Sequence, residues 1–173
     1  MKEVDLYGPG GKPDWFLELN PRGTVPVLEC YGGSVTYLES DLILDKILEG
    51  DVPNGPLIAA ESEAIEEMIT KWRTMLNDQL IPIGKKTVQR GGGNTDELQK
   101  VLKEMDGMVE GKYLTGRKVS LADCAIFPFV WRLNEEYGLE ALDCPNLKDW
   151  LDRCDTNEAF VTTKPTEGWW WWW

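Results

Sequence analysis

The stretch best equipped to hold a small polar ligand runs from Asn20 to Glu29, Asn-Pro-Arg-Gly-Thr-Val-Pro-Val-Leu-Glu, and is completed ten residues on by Glu39-Ser40. It reads as a tight turn, a Val-Pro step and a short apolar strand, followed by a hairpin and an acidic-polar pair that opens a helix. Pro26 cannot donate to a strand ladder, so it belongs at a strand entrance. A cis Val25–Pro26 bond there would turn the peptide groups of Val25 outward, ready to pair with an extended peptide. Glu39 offers a carboxylate to an amine. Ser40 and the first N–H groups of the helix offer donors to a carboxylate. Together they describe a receptor for an amino-acid end. The plainer reading is that Pro26 marks a strand-entry turn and that Glu39-Ser40 merely starts a helix.

Several chemistries are excluded or disfavoured. The chain has no histidine, which removes imidazole catalysis and histidine-bound metal, so no metal site is expected. Its net charge of −12 argues against nucleic acid and anionic membrane surfaces as partners. No apolar run reaches the ~18 residues of a membrane span. The four cysteines, Cys30, Cys124, Cys144 and Cys154, form no C-x-x-C pair. They read as reduced, mostly buried thiols of an intracellular protein, in the cytoplasm or an organelle stroma or matrix.

The elements that must position the ligand-holding residues follow from the pattern. Lys2 to Tyr7 alternates as a short strand, broken by the Gly8–Gly11 segment. Pro13 fits the first position of a short helix through Leu17. Val25 to Cys30 and Val35 to Leu38 form a hairpin around Tyr31–Ser34. Glu39 to Leu48 is a helix with Leu42, Ile43, Ile47 and Leu48 inward, ended by Gly50. Residues 51–57 form a linker. Beyond it the period is helical throughout. Glu61 to Leu80 forms one helix, stopped by Pro82, and Lys85 to Gly93 is a polar, glycine-rich loop. A second helix follows, with Leu98, Val101, Leu102, Met105 and Val109 inward. Ser120 and Asp123 make a capping box for a third, which continues to Tyr137 with Pro128 inside it and a kink expected there. Pro145 opens a further helix.

Other features have mundane explanations. Arg90-Gly91-Gly92-Gly93 lacks the strand and the Lys-Ser/Thr of a phosphate loop and reads as a flexible loop. The glutamates at 61, 63, 66 and 67 form a solvated helix face. Trp72, Phe129 and Trp131 fit a helical core better than an acceptor pocket between domains. The run Trp169–Trp173 is set aside as foreign to the fold, since exposed tryptophans favour aggregation.

The spacing of Lys12-Pro13-Asp14-Trp15-Phe16-Leu17, Asn20-Pro21, Val25-Pro26-Val27-Leu28-Glu29 and Tyr37-Leu38-Glu39-Ser40 resembles the glutathione transferase superfamily, most of all its omega class of thiol transferases. Ser120-Leu121-Ala122-Asp123 and Ala125-Ile126-Phe127-Pro128-Phe129 resemble that family's sixth helix. The likeness runs from about residue 2 to 168. It implies a thioredoxin-like α/β domain over residues 1–50 and an all-helical domain over 58–168. It also implies glutathione as co-substrate. Val25 and Pro26 would meet its cysteinyl part, Glu39 and Ser40 its γ-glutamyl end, and Lys12 its glycine carboxylate. The amine end is expected to be the more enclosed.

In the family, a strand and helix carrying the catalytic nucleophile come before the strand that Lys2–Tyr7 matches. No residue of this chain matches that nucleophile, so no catalytic residue is assigned. Between the two strand edges a slot is expected. It is filled by a segment outside this sequence, by a partner strand, or by rearrangement of residues 2–7. Two functions stay open. One is a glutathione transferase or glutathione-dependent thiol oxidoreductase whose nucleophile lies elsewhere. The other is a non-catalytic binding subunit that docks a second copy or a larger assembly through its open sheet edge.

Overall fold

The computed structural model describes residues 2–6, 8–49, 62–89 and 95–164. The expected linker at 51–57, the Arg90–Gly93 loop and the tryptophan run at 169–173 lie outside these residues. The chain divides into two compact units, Met1–Pro56 and Leu57–Trp173.

The first unit is a thioredoxin-like arrangement built on a small hairpin. Its order is helix α1 (Asp14–Leu19), strand β1 (Leu28–Cys30), strand β2 (Val35–Tyr37) and helix α2 (Ser40–Leu48). The strands pair antiparallel, with Leu28 opposite Tyr37 and Cys30 opposite Val35. A single 3-10 turn, Tyr31–Gly33, joins them, and Gly32 sits there at φ 66°, a conformation that glycine adopts without a Cβ penalty. Phe16, Cys30 and Ile43 supply the buried apolar side chains. Pro13 is the cap residue before α1 rather than its first helical residue. Val25–Val27 precede β1 instead of forming part of it.

The strand expected over Lys2–Tyr7 is not formed in the described residues 2–6. A strand is defined by its ladder, and the described sheet contains β1 and β2 alone. Alternation in the sequence gives a face but not a neighbour to bond.

The second unit is helical. It contains α3 (Glu63–Met75), a π-helical turn (Leu76–Leu80), α4 (Ile81–Gln89), α5 (Asp96–Gly107), α6 (Leu121–Tyr137), α7 (Pro145–Cys154) and the short α8 (Glu158–Val161). Ser62 caps α3, its side chain accepting from the Ile65 N–H. Pro82 does not stop the helical path, and Lys85–Gln89 is helix rather than loop. The wide π turn just before it is the physical reason. Proline lacks an N–H and crowds the carbonyl four residues back, and a wider turn relieves both defects. α6 likewise runs through Pro128 as a single helix.

The core of this unit contains Trp72, Leu80, Leu98, Leu102, Ile126 and Trp150, each no more than 1% exposed. Trp72 is therefore a core residue and lines no acceptor pocket; its Nε1 donates to the Leu114 carbonyl at 3.0 Å. Phe129 and Trp131 are half-buried. Among the described residues no helix is long and apolar enough to cross a membrane.

Candidate functional site

The site grows out of one turn. Asn20 follows α1 and is fully buried, and its side chain fixes the loop beyond it. Its Nδ2 donates to the Thr24 carbonyl at 2.7 Å and to Thr24 Oγ1 at 3.0 Å. Its Oδ1 accepts from the Arg22 N–H at 3.1 Å, and its backbone carbonyl accepts from the Gly23 N–H at 2.8 Å. A short amide side chain reaching two and four residues on is the usual way asparagine builds a turn. The result holds Arg22 and Gly23 at a defined apex.

Lys12 and Glu39 both reach this apex. Gly23 has φ +63°, and a Cβ there would stand 2.8 Å from Lys12 Cδ and 2.9 Å from Lys12 Nζ. The lysine therefore lies directly over the glycine. Arg22 Nη1 donates to Glu39 Oε1 at 2.6 Å. Glu39 is the residue before α2, yet its side chain makes no capping bond. The plain helix-start reading thus leaves its carboxylate unexplained. Ser40 is the first residue of α2 and is exposed. The opening N–H groups of that helix have no partner within it.

Val25 is 51% exposed and Pro26 is exposed beside it; the bond between them is cis. The five residues singled out from the sequence thus lie on three connected pieces: Lys12 before α1, Val25-Pro26 leading into β1, and Glu39-Ser40 at the start of α2. Lys12 and Glu39 are joined through the Arg22-Gly23 apex. Among the described residues no hydrogen bond or ion pair joins Val25-Pro26 to Glu39-Ser40. The expected enclosure is reversed: Glu39 is exposed, its side chain 60% so, whereas Lys12 is half-buried.

Sequence reasoning overlooked two residues here. Asn20 carried a signal, because Asn-Pro before a glycine marks a turn, but not the signal that its amide would be buried. Arg22 carried none, since its carboxylate partner is seventeen residues away.

The thiols are poor candidates for chemistry. Burial, with the Asp123 charge as a second cause, pushes the Cys124 thiol up to about 11. Burial pushes Cys154 up to about 12, with Asp123 and Asp155 adding to it. Cys144 is raised to about 11 by burial and then by Asp106. A thiol held so far above neutrality is not a nucleophile. Cys30 closes β1 and is buried.

The helical unit has its own polar centre, which is structural. Asp123 is fully buried. Its Oδ2 accepts from the Ser120 N–H and Oγ, both at 2.8 Å. Its Oδ1 accepts from the Leu114 N–H at 2.9 Å and from Trp150 Nε1 at 2.8 Å. The capping box is complete at the start of α6. Every lone pair this carboxylate can readily offer is in use, so it has no capacity left for a substrate.

Comparison with known proteins agrees with this architecture. The profile described as the glutathione S-transferase N-terminal domain matches residues 1–49. The glutathione S-transferase C-terminal domain profile matches residues 67–158, more than half of the chain. Pig glutathione S-transferase omega-1 is 29% identical over 150 residues, covering 81% of this chain and 60% of the pig protein. A rice protein named as a probable cytosolic glutathione S-transferase DHAR1 is 23% identical over 185 residues, covering 98% of this chain and 79% of its own length. Among solved structures, glutathione transferase Omega 3C from Trametes versicolor superposes with a TM-score of 0.76 at 26% identity. That match covers 96% of this chain and 77% of the fungal one.

Proposed function

Since this chain belongs to the glutathione S-transferase family, we propose that its first unit binds glutathione as an omega-type thiol transferase does, and that none of its own four thiols is the reacting sulfur. Glu39 receives the ammonium of the γ-glutamyl end. Ser40 and the start of α2 receive the neighbouring carboxylate. Val25, ahead of Pro26, pairs its backbone with the cysteinyl part. Lys12 takes the glycine carboxylate.

The observation that carries the reading is the turn at Arg22-Gly23, which has Lys12 against Gly23 and Glu39 against Arg22. A tripeptide with a charge at each end needs complementary charges on a fixed frame, and a turn locked by a buried asparagine supplies one. The likeness to the pig omega-1 protein supports the omega assignment. A solved relative from Methylobacillus flagellatus, 22% identical, is described with glutathione bound. The second half of the reading rests on the raised pKa of Cys124, Cys144 and Cys154 and on the burial of Cys30.

The test is calorimetric titration of the full chain with glutathione, followed by a glutathione-dependent disulfide-reduction assay. Saturable binding is expected, with no turnover that depends on the four cysteines. Absence of any saturable heat at millimolar glutathione would remove the binding assignment. Turnover abolished by replacing one of the cysteines with serine would show that thiol to be the reacting atom.

A further inference from the structure

The first unit, Met1–Pro56, contains four basic residues against ten acidic ones. Lys46 is paired with Glu49 within one turn of α2 and its end, and Lys2 lies over the Trp15 ring, 3.3 Å from its centroid. The other two, Lys12 and Arg22, both border Gly23. Two of the unit's four cations therefore stand at one turn, with the Glu39 carboxylate against one of them.

We infer that Arg22 is a specificity-determining residue: it shares with Ser40 and the start of α2 the α-carboxylate of a ligand that ends in an α-amino-acid zwitterion, while Glu39 beside it takes the ammonium. The inference rests on the assignment of Glu39 to the ammonium made above. In such a zwitterion the two opposite charges are carried by groups on one carbon atom. Arg22 and Glu39 present the complementary pair, with opposite charges 2.6 Å apart. Laid against each other, the four charges alternate in sign.

The present contact leaves the valences for this. A guanidinium has five N–H donors and a carboxylate about four lone-pair positions. The Arg22 side chain uses Nη1 alone and the Glu39 carboxylate Oε1 alone in the hydrogen bonds among the described residues. The pair is also exposed, 68% and 60%. Water already solvates both groups, so a ligand can open or share the contact with little resistance. The backbone of Arg22 is held by Asn20, so the guanidinium swings from a fixed base.

The charge balance points the same way. Glutathione carries two carboxylates and one ammonium. Ser40 and the start of α2 bring donors but no formal charge, so Lys12 and Glu39 alone would meet that net negative ligand with a site of zero formal charge, in a chain of net charge −12. Arg22 supplies the missing positive charge.

The experiment compares the wild-type chain with R22Q by calorimetric titration, using two peptides. One is glutathione. The other is γ-aminobutyryl-cysteinylglycine, which is glutathione with the α-carboxylate replaced by hydrogen. One charge-assisted hydrogen bond in a solvated setting corresponds to about tenfold in affinity. R22Q is therefore expected to weaken glutathione about tenfold and to change the decarboxylated peptide by less than about twofold. Equal weakening of both peptides would make Arg22 a general electrostatic contributor and would overturn the inference. Tighter glutathione binding by R22Q would make the ion pair a competitor for Glu39, and would overturn it too. A wild-type chain that binds neither peptide would overturn the glutathione reading and this inference with it. A wild-type chain that binds glutathione while R22Q binds it equally well would overturn this inference alone.

Discussion

Replacing Asp123 by asparagine should unsettle the whole helical unit, because one carboxylate there serves four donors on three residues. They are the Ser120 N–H and hydroxyl, the Leu114 N–H, and the Trp150 indole. In the asparagine variant the amide oxygen can keep Leu114 and Trp150, but as neutral bonds. Hydrogen bonds to charged groups contribute ~1.5–3 kcal/mol and neutral ones ~0.5–1.5, so about 1 kcal/mol is lost at each. The new NH₂ faces the Ser120 N–H, donor against donor. Asp123 is fully buried, so no water relieves that N–H, and an orphaned buried donor costs ~1–3 kcal/mol. An amide is easier to bury than a carboxylate, which offsets part of this. The balance is a loss of roughly 3 kcal/mol, or roughly 10–15 °C in Tm for a unit of about a hundred residues. Urea and thermal denaturation followed by circular dichroism measure it. Ser120→Ala, which removes one donor to the carboxylate, should cost only ~1 kcal/mol. An Asp123→Asn variant within about 0.5 kcal/mol of wild type would refute the idea that charge holds this junction together.

Gly23→Ala should weaken glutathione binding more than it destabilises the fold. Residue 23 has φ +63° and the new methyl would strike Lys12, so calorimetry should show the loss while Tm falls by only a few degrees. Lys12→Ala and Glu39→Ala should weaken glutathione by similar factors, about three- to tenfold each, because Glu39 is exposed and Lys12 is the more covered of the two. A much larger loss at Glu39 in the same titration would restore an enclosed amine pocket. Stability should fall at high pH. Thiols ordinarily ionise at 9.0, whereas folded Cys124, Cys144 and Cys154 hold their protons to about 11, 11 and 12. Between those values the unfolded chain loses protons that the folded chain keeps, so the stabilisation is complete below pH 9 and is lost as pH rises through the folded values. Denaturation midpoints at pH 8 and pH 10.5 measure it, and a C124A/C154A variant should show a shallower decline. The same thiols should resist alkylation in the native chain at pH 8 and react once it is denatured.

What the sequence disclosed was local. The Ser120–Asp123 box is a relation across three residues, and the structure completes both of its legs. The helix periods of α5 and α6, and proline at the start of α7, are equally short-range, and each appears where the pattern put it. What the sequence withheld depends on distant partners. Alternation over Lys2–Tyr7 promised a strand, but a strand needs a second chain segment to bond. Pro82 promised a stop, but the π turn over Leu76–Leu80, which carries the helical path into α4, has no signature in the sequence. Asp123 was legible as a cap, yet its bonds to Leu114 and Trp150 span nine and 27 residues.

The candidate site divides along the same line, and the division says which part of it sets specificity. Lys12, Val25, Pro26, Glu39 and Ser40 could be picked out because each stands in a short motif with its own backbone logic. Arg22 could not, because its importance arises only when the turn folds it against Glu39. In the proposed assignment Val25 answers to the backbone of the ligand, and Lys12, Glu39 and Ser40 to end groups, each from a position its motif fixes. A charged side chain carried at the apex of a turn adds to the recognition of one end group, and it can change without disturbing the turn. Asn20 must remain asparagine-like to hold the loop, and Gly23 must remain glycine to leave room for Lys12. Position 22 is under neither constraint, since its exposed side chain pairs with Glu39 outside the turn and only its N–H is used by the turn. The discrimination between a zwitterionic end and a simple amine therefore falls to the one residue of the apex that is free to vary, and the paired titration of glutathione and its decarboxylated form isolates that residue's share.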